Sequence, residues 1–160
     1  MLTALSFTNV SGAAISFLIN VYGGNGCTVD LLDPAPPFTG SEIPKMESSG
    51  QWGNHEYQRS LVIHQEGKIV GSTAATYLQQ RAALMGALMV NSGAQAFANH
   101  GTISATWASG TVTTAGAVIV DLAAPMGPAN GSAGPTVSPY MVTFRCDNAY
   151  WQVSGADYKF

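Results

Sequence analysis

The chain has 160 residues, enough for one domain with a buried core, and 46% of them are hydrophobic. Only 9% are charged, against about a quarter in ordinary soluble domains. That suits a subunit covered by neighbours in an assembly. The formal net charge of −3 and the absence of a basic patch exclude an electrostatic grip on nucleic-acid phosphates. No apolar run reaches bilayer-spanning length, and the N-terminus lacks a basic stretch before an apolar one, so no membrane partner is expected.

In chain order, residues 3–10 and 13–22 form the first expected hairpin, turning at Ser11-Gly12. In its second arm Ile15, Phe17, Ile19 and Val21 alternate with Ser16, Leu18, Asn20 and Tyr22, the period of a half-buried strand. Residues 23–57 are rich in Pro, Gly and Ser. Beyond a short strand near Val29–Leu32, regular structure is not expected there. Phe38, Met46 and Trp52 are the candidate anchors of this extended segment, which lies on the surface or reaches a neighbour. Residues 58–71 read as a second hairpin with its turn at Glu66-Gly67.

Residues 72–90 carry the one long helix signal, with Ser72 or Thr73 as N-cap and Asn91-Ser92-Gly93 as stop. At the helical period Tyr77, Leu78, Leu84, Met85, Leu88 and Met89 fall on one side, with Arg81 among them. Ala75, Thr76, Gln79, Gln80, Ala83, Gly86 and Ala87 fall on the other. That outer side is small and uncharged, whereas a helix facing water normally carries charge. Ala75, Gln79, Ala83 and Gly86 are therefore candidate subunit-interface residues, together with Arg81 and Trp52. For Arg81 the alternatives are a pair with Glu66 or Asp121 in the same chain, or a pair across an interface.

Residues 102–108 and 111–122 form a further strand pair around Ser109-Gly110. Ala123–Pro135 reads as a flexible loop. Val137–Asp147 is the last long strand, and Val153, Tyr158 and Phe160 add a short final one. The whole is mainly β: a sandwich or split barrel of antiparallel strands with one inserted α-helix. Cys27 and Cys146 are expected as buried free thiols.

Catalytic and metal chemistry finds little support. His55, His64 and His100 have no metal-ligand spacing to each other or to the cysteines. Asp30 and Asp33 lie three apart around the apolar Leu31-Leu32 pair, Asp33-Pro34 reads as the start of a turn, and no nucleophile elbow, phosphate loop or dinucleotide fingerprint is present. Asn9-Val10-Ser11 and Asn130-Gly131-Ser132 match the short glycosylation pattern. The expectation is a protein that is no enzyme, with no cofactor and no metal.

Two segments resemble the N-terminal domain of the distal tail (Dit) proteins of long-tailed phages. One is Arg59-Ser60-Leu61-Val62-Ile63, then Gly67-Lys68-Ile69-Val70-Gly71, then Tyr77, Arg81 and Leu84. The other is Tyr140-Met141-Val142-Thr143-Phe144 followed by Asp147-Asn148-Ala149-Tyr150-Trp151. The resemblance implies a split β-barrel with an added helix, forming a homohexameric ring at the end of the tail tube. Such a ring docks on the tail tube protein on one side and on the tail-tip hub protein on the other. DNA passes through its lumen without specific binding. On this reading residues 1–160 are a single ring-forming domain of the virion, made in the host cytoplasm, and the carbohydrate-binding domain that many such proteins carry is not expected.

The competing readings are another ring protein of the same tail, a small carbohydrate-binding β-sandwich, and a hydrolase. A tube or terminator subunit shares the β core and helix. The carbohydrate reading uses Trp52, Trp107 or Trp151 as a stacking platform, and of these Trp52 is the best placed.

Overall fold

The computed structural model describes residues 1–19, 24–35, 38–39, 42–44, 51–53, 57–58, 61–89, 101–127, 134–146, 151–153 and 156–158. The alternating N-terminus forms β1 (Leu2–Thr8) and β2 (Ala14–Phe17), which bury Leu5, Phe7, Ile15 and Phe17. Their turn uses Gly12 at φ 86°, a left-handed conformation that suits glycine. Asn9 holds the turn. Its Oδ1 accepts from Ser11 N at 3.0 Å, Ser11 Oγ at 2.7 Å and Ala13 N at 2.9 Å, while its Nδ2 donates to Gly86 O at 3.3 Å. A buried side chain so committed is no glycan acceptor. Asn9→Ala is expected to cost about 1–3 kcal/mol by orphaning these donors, read from the urea midpoint.

Short strands β3 (Gly26–Cys27) and β4 (Leu31–Ala35) follow. Then come four small pieces: β5 (Phe38–Thr39), β6 (Glu42–Pro44), β7 (Gln51–Gly53) and β8 (Tyr57–Gln58). The Pro-rich region therefore has more strand than the sequence reading allowed. Among the described residues β4 pairs with β9 alone, an edge position where a proline's missing N–H is tolerated. β5 pairs with β8 and β6 with β7, outside the main sheet.

The second expected hairpin is instead one strand, β9 (Val62–Val70). Glu66-Gly67 is no turn. Gly67 is needed because a Cβ there would collide with the Thr28 carbonyl oxygen and stand 2.8 Å from Tyr140 Cε1. The helix α1 (Ala74–Leu88) follows, N-capped by Thr73, whose Oγ1 accepts from Thr76 N at 3.2 Å. It ends at Met89, and the expected stop residues 91–93 lie outside the described residues. Then come β10 (Gly101–Trp107), β11 (Val112–Ala123), β12 (Val137–Cys146), β13 (Trp151–Val153) and β14 (Ala156–Tyr158).

The main sheet is antiparallel in the order β2-β1-β10-β11-β12-β9-β3. β4 lies beside β9, β13 beside β11, and β14 beside β13. The two ends of the path meet: Leu18 N donates to Cys27 O at 2.8 Å, and Val29 N donates to Leu18 O at 3.0 Å. The sheet is thereby nearly closed into a barrel. Phe7, Ile63, Ile103, Val142 and Phe144 fill it, with the Phe7 and Phe144 ring centroids 5.2 Å apart. From the helix Tyr77, Leu84, Ala87 and Leu88 join this core.

One polar chain crosses the core. Gln65 Nε2 donates to Tyr140 Oη at 2.7 Å, and Tyr140 Oη donates to Thr28 O at 2.7 Å. It ties β9, β12 and β3 together where the barrel closes. Burial raises the Tyr140 phenol well above its ordinary value.

Cys27 and Cys146 are both buried and are not joined to each other. Burial pushes the Cys27 thiol from 9.0 up to about 12. The folded chain is expected to leave both thiols unreactive toward a disulfide reagent at pH 8, with both titrating after unfolding. Below pH 9 the Cys27 thiol is neutral folded or unfolded. Above that the unfolded chain ionises first, so this group's contribution to stability falls as pH rises toward 12.

Candidate subunit interface

On the helix, Ala75, Gln79, Ala83 and Gly86 are all exposed, and so are Leu78 and Ala82. An added Cβ at Gly86 would meet nothing within 4 Å. The outer face is therefore small, uncharged and open, but its outline differs from the expected one. Leu78 is 48% exposed and Met89 59%, whereas Ala87 is buried. One residue step turns a helix by about 100°, so Tyr77 at the centre of the buried face carries Leu78 out to its edge. Met89 has left the helix, with φ −80° and ψ 108°.

Arg81 pairs with neither Glu66 nor Asp121. Its Nη2 donates to the Ala124 carbonyl at 2.9 Å, and its Nε is buried without a hydrogen-bond partner. The sequence reading missed this because β11 runs on to Ala123 and delivers the next backbone carbonyl to the helix. Tyr77 Oη fixes the same segment, accepting from Gly127 N at 3.3 Å and sharing a 2.7 Å hydrogen bond with Ser138 Oγ. Gly71 N donates to Thr136 O at 2.9 Å. The start of the loop expected to be flexible is thus tied to the helix and the residue after its end to Gly71, and residues 128–133 lie outside the described residues. Trp52 sits on β7 with its backbone opposite Ile43, and its side chain lies outside the described residues.

Charge is spread unevenly along the chain. Of the 6 Lys and Arg and 9 Asp and Glu, only Arg81 falls within residues 1–29 or 69–120. Those stretches build β1, β2, β3, α1, β10 and most of β11. Across four of these strands the outward residues align in rows. One row is Ser16, Ser6, Ser104 and Thr114, and the next is Ala14, Thr8, Thr102 and Gly116.

Among the described residues, charged and titratable side chains stand together over β9 and beside it. Here Lys68 Nζ stands 3.6 Å from Asp30 Oδ2. His64 Nε2 stands 2.9 Å from Glu66 Oε1, and its Nδ1 stands 3.1 Å from Thr143 Oγ1. Hydroxyl, imidazole and carboxylate follow one another as in an activated nucleophile. Yet β9 and β12 have ladder partners on both sides, which uses up the backbone N–H groups an oxyanion would need. We read the trio as cross-strand pairing. Its signal in the sequence was the two-residue spacing of His64, Glu66 and Lys68. Thr143 could not be found without the register.

The remaining candidates do not converge. Trp151 is buried, and Trp107 packs on the core with its Nε1 donating to Thr113 Oγ1 at 2.9 Å. Neither offers a stacking platform. His55, His100 and Asn130 lie outside the described residues. Among the described residues no three His, Cys, Asp or Glu side chains gather as a metal site would require.

No protein-family model matches the sequence, and no curated protein matches it by sequence. Solved structures do match. One is the Dit protein of phage SPP1, described as a paradigm of the hub adsorption apparatus in phages infecting Gram-positive bacteria. It matches at TM-score 0.58 and 8% identity, over 94% of this chain and 53% of that one. Two others come from the phage p2 baseplate in its activated conformation. The form with Sr matches at TM-score 0.58 and 10% identity, and the form with Ca at 0.57 and 11%, each over 94% of this chain and 45% of the other. This chain thus spans about half the length of the chains it matches. At such identities the likeness is one of fold: a nearly closed antiparallel barrel with a single helix, the fold of phage Dit proteins.

Proposed function

We infer that this chain is a structural subunit of a phage tail or a related tail-like particle. It acts as a distal tail protein, a hexameric ring joining the end of the tail tube to the tail-tip hub. The carrying observation is that 94% of the chain follows the fold of the SPP1 Dit protein. Residues 1–160 form one ring domain, whose partners are further copies, the tube protein and the hub protein. DNA passes through its lumen unretained, which a chain of net charge −3 favours. The chain resides in the virion, after assembly in the host cytoplasm. It does no chemistry and needs no cofactor.

The uncharged helix face of Ala75, Gln79, Ala83 and Gly86 supports burial against a neighbour. Arg81 and Trp52 complete the proposed interface. The test is the mass of the purified chain by light scattering. Six times 16.6 kDa is expected. A monomer that binds glycan through Trp52 would replace this reading with the carbohydrate-binding one.

A further inference from the structure

We propose that Asn25 is a site of spontaneous modification, converting to aspartate and isoaspartate through a ring closed with Gly26, and that the barrel seam sets its rate. Two separate demands of the fold put this pair side by side. Gly26 has φ 151°, which strains any residue with a side chain, and an added Cβ would stand 2.9 Å from Leu18 Cδ1. Asn25 Oδ1 accepts from Ser72 N at 2.7 Å, just before the helix N-cap. Asparagine is a chemically labile side chain. It is most labile before glycine, where no side chain hinders attack by the next backbone nitrogen. Asn25 is exposed, so water reaches it.

The reaction balances with water alone. The Gly26 nitrogen attacks Asn25 Cγ, and its proton leaves with the amide nitrogen as ammonia. Water then opens the five-membered imide. Breaking the bond from Cγ to the Gly26 nitrogen gives aspartate, and breaking the original peptide bond gives isoaspartate. In the closed barrel this attack is hindered, because Gly26 lies opposite Val70 in the ladder and Asn25 is held on Ser72. Conversion therefore waits on local opening of β3, a two-residue strand at the end of the sheet path. Tyr140 Oη to Thr28 O at 2.7 Å and Lys68 N to Thr28 Oγ1 at 3.0 Å hold it shut. The two products differ in effect. Aspartate keeps the backbone and sets a carboxylate beside the helix start, where negative charge is favoured. Isoaspartate adds a carbon to the main chain, so the Ser72 contact and the pairing with Val70 no longer fit together.

The test keeps the full chain folded at pH 8 and samples it over weeks by peptide mapping, with an isoaspartate-specific methyltransferase as a second readout. The same chain unfolded in guanidinium is the reference. Asn130-Gly131, a second such pair outside the described residues, is read on its own peptide. Position 25 is expected to convert in both samples, more slowly in the folded one. Tyr140→Phe and Thr28→Ala each remove a bond that opening must break. Once melting curves show that they fold, each should convert about fivefold faster than wild type, the change that one net hydrogen bond makes to an opening equilibrium. Asn9→Ala, altered at the far end of β2, should convert at the wild-type rate. A folded chain that keeps its amide at position 25 after the unfolded chain has converted would overturn the site. Equal rates in the folded and unfolded chain would overturn the role of the seam, and so would seam variants no faster than Asn9→Ala.

Discussion

Gly67→Ala is expected to prevent stable folding. The new Cβ would collide with the Thr28 carbonyl oxygen in the middle of the barrel seam. Moving Thr28 away breaks three hydrogen bonds: Tyr140 Oη to Thr28 O at 2.7 Å, Thr28 N to Lys68 O at 2.8 Å, and Lys68 N to Thr28 Oγ1 at 3.0 Å. Overpacking a site that can relax costs about 1–3 kcal/mol. Here the obstacle is backbone within a ladder, so a cost of about 3 kcal/mol or more is expected. That is a large part of the about 5–15 kcal/mol that holds a domain together. The comparison is Gly86→Ala on the open helix face, expected to stabilise by about 0.5–1 kcal/mol through helix propensity. Urea midpoints moving in opposite directions would support the seam geometry. Equal midpoints would contradict it.

Tyr77→Ala is the second large effect, with an expected loss of about 3–5 kcal/mol. Tyr77 is fully buried and touches two parts of the structure at once. Its ring is the centre of the helix face that fills the core. Its hydroxyl holds Ser138 on β12 and Gly127 after β11. Tyr77→Phe separates the two roles. It keeps the ring but leaves the buried Ser138 hydroxyl and the Gly127 N–H to find other partners, so about 1–3 kcal/mol is expected. A Phe variant as unstable as the Ala variant would show that the hydroxyl, and not the ring, secures the helix.

These residues also show how much of the molecule was legible in the sequence. The first hairpin, the helix, the 102–122 strand pair and the last strand are local patterns: strict alternation, capping residues and glycine turns. They appear where the sequence placed them, except that the second arm of the first hairpin, expected over 13–22, ends as a strand at Phe17. Gly67 was misread because a glycine in a strand has two physical meanings, a turn or a close approach. Only the position of Thr28, 39 positions earlier in the chain, decides between them. Pro34 argued against a strand, but its cost depends on whether a second neighbour exists, which is a matter of topology. Leu78 and Ala87 exchanged places relative to expectation because a hydrophobic side chain at the edge of a helix face is sorted by what packs there. Arg81 was weighed against carboxylates and met a backbone carbonyl, a partner that sequence cannot list. That Ala75, Gln79, Ala83 and Gly86 face away from the core was legible from periodicity.

We propose that this barrel is one sixth of a ring at the end of a tail tube. The most direct measurement is electron microscopy of the purified chain at high concentration, averaged without imposed symmetry. Six-fold rings with an open central hole are the expected result. Open filaments, two-fold dimers or monomers alone, at concentrations where light scattering has reached its plateau, would contradict it.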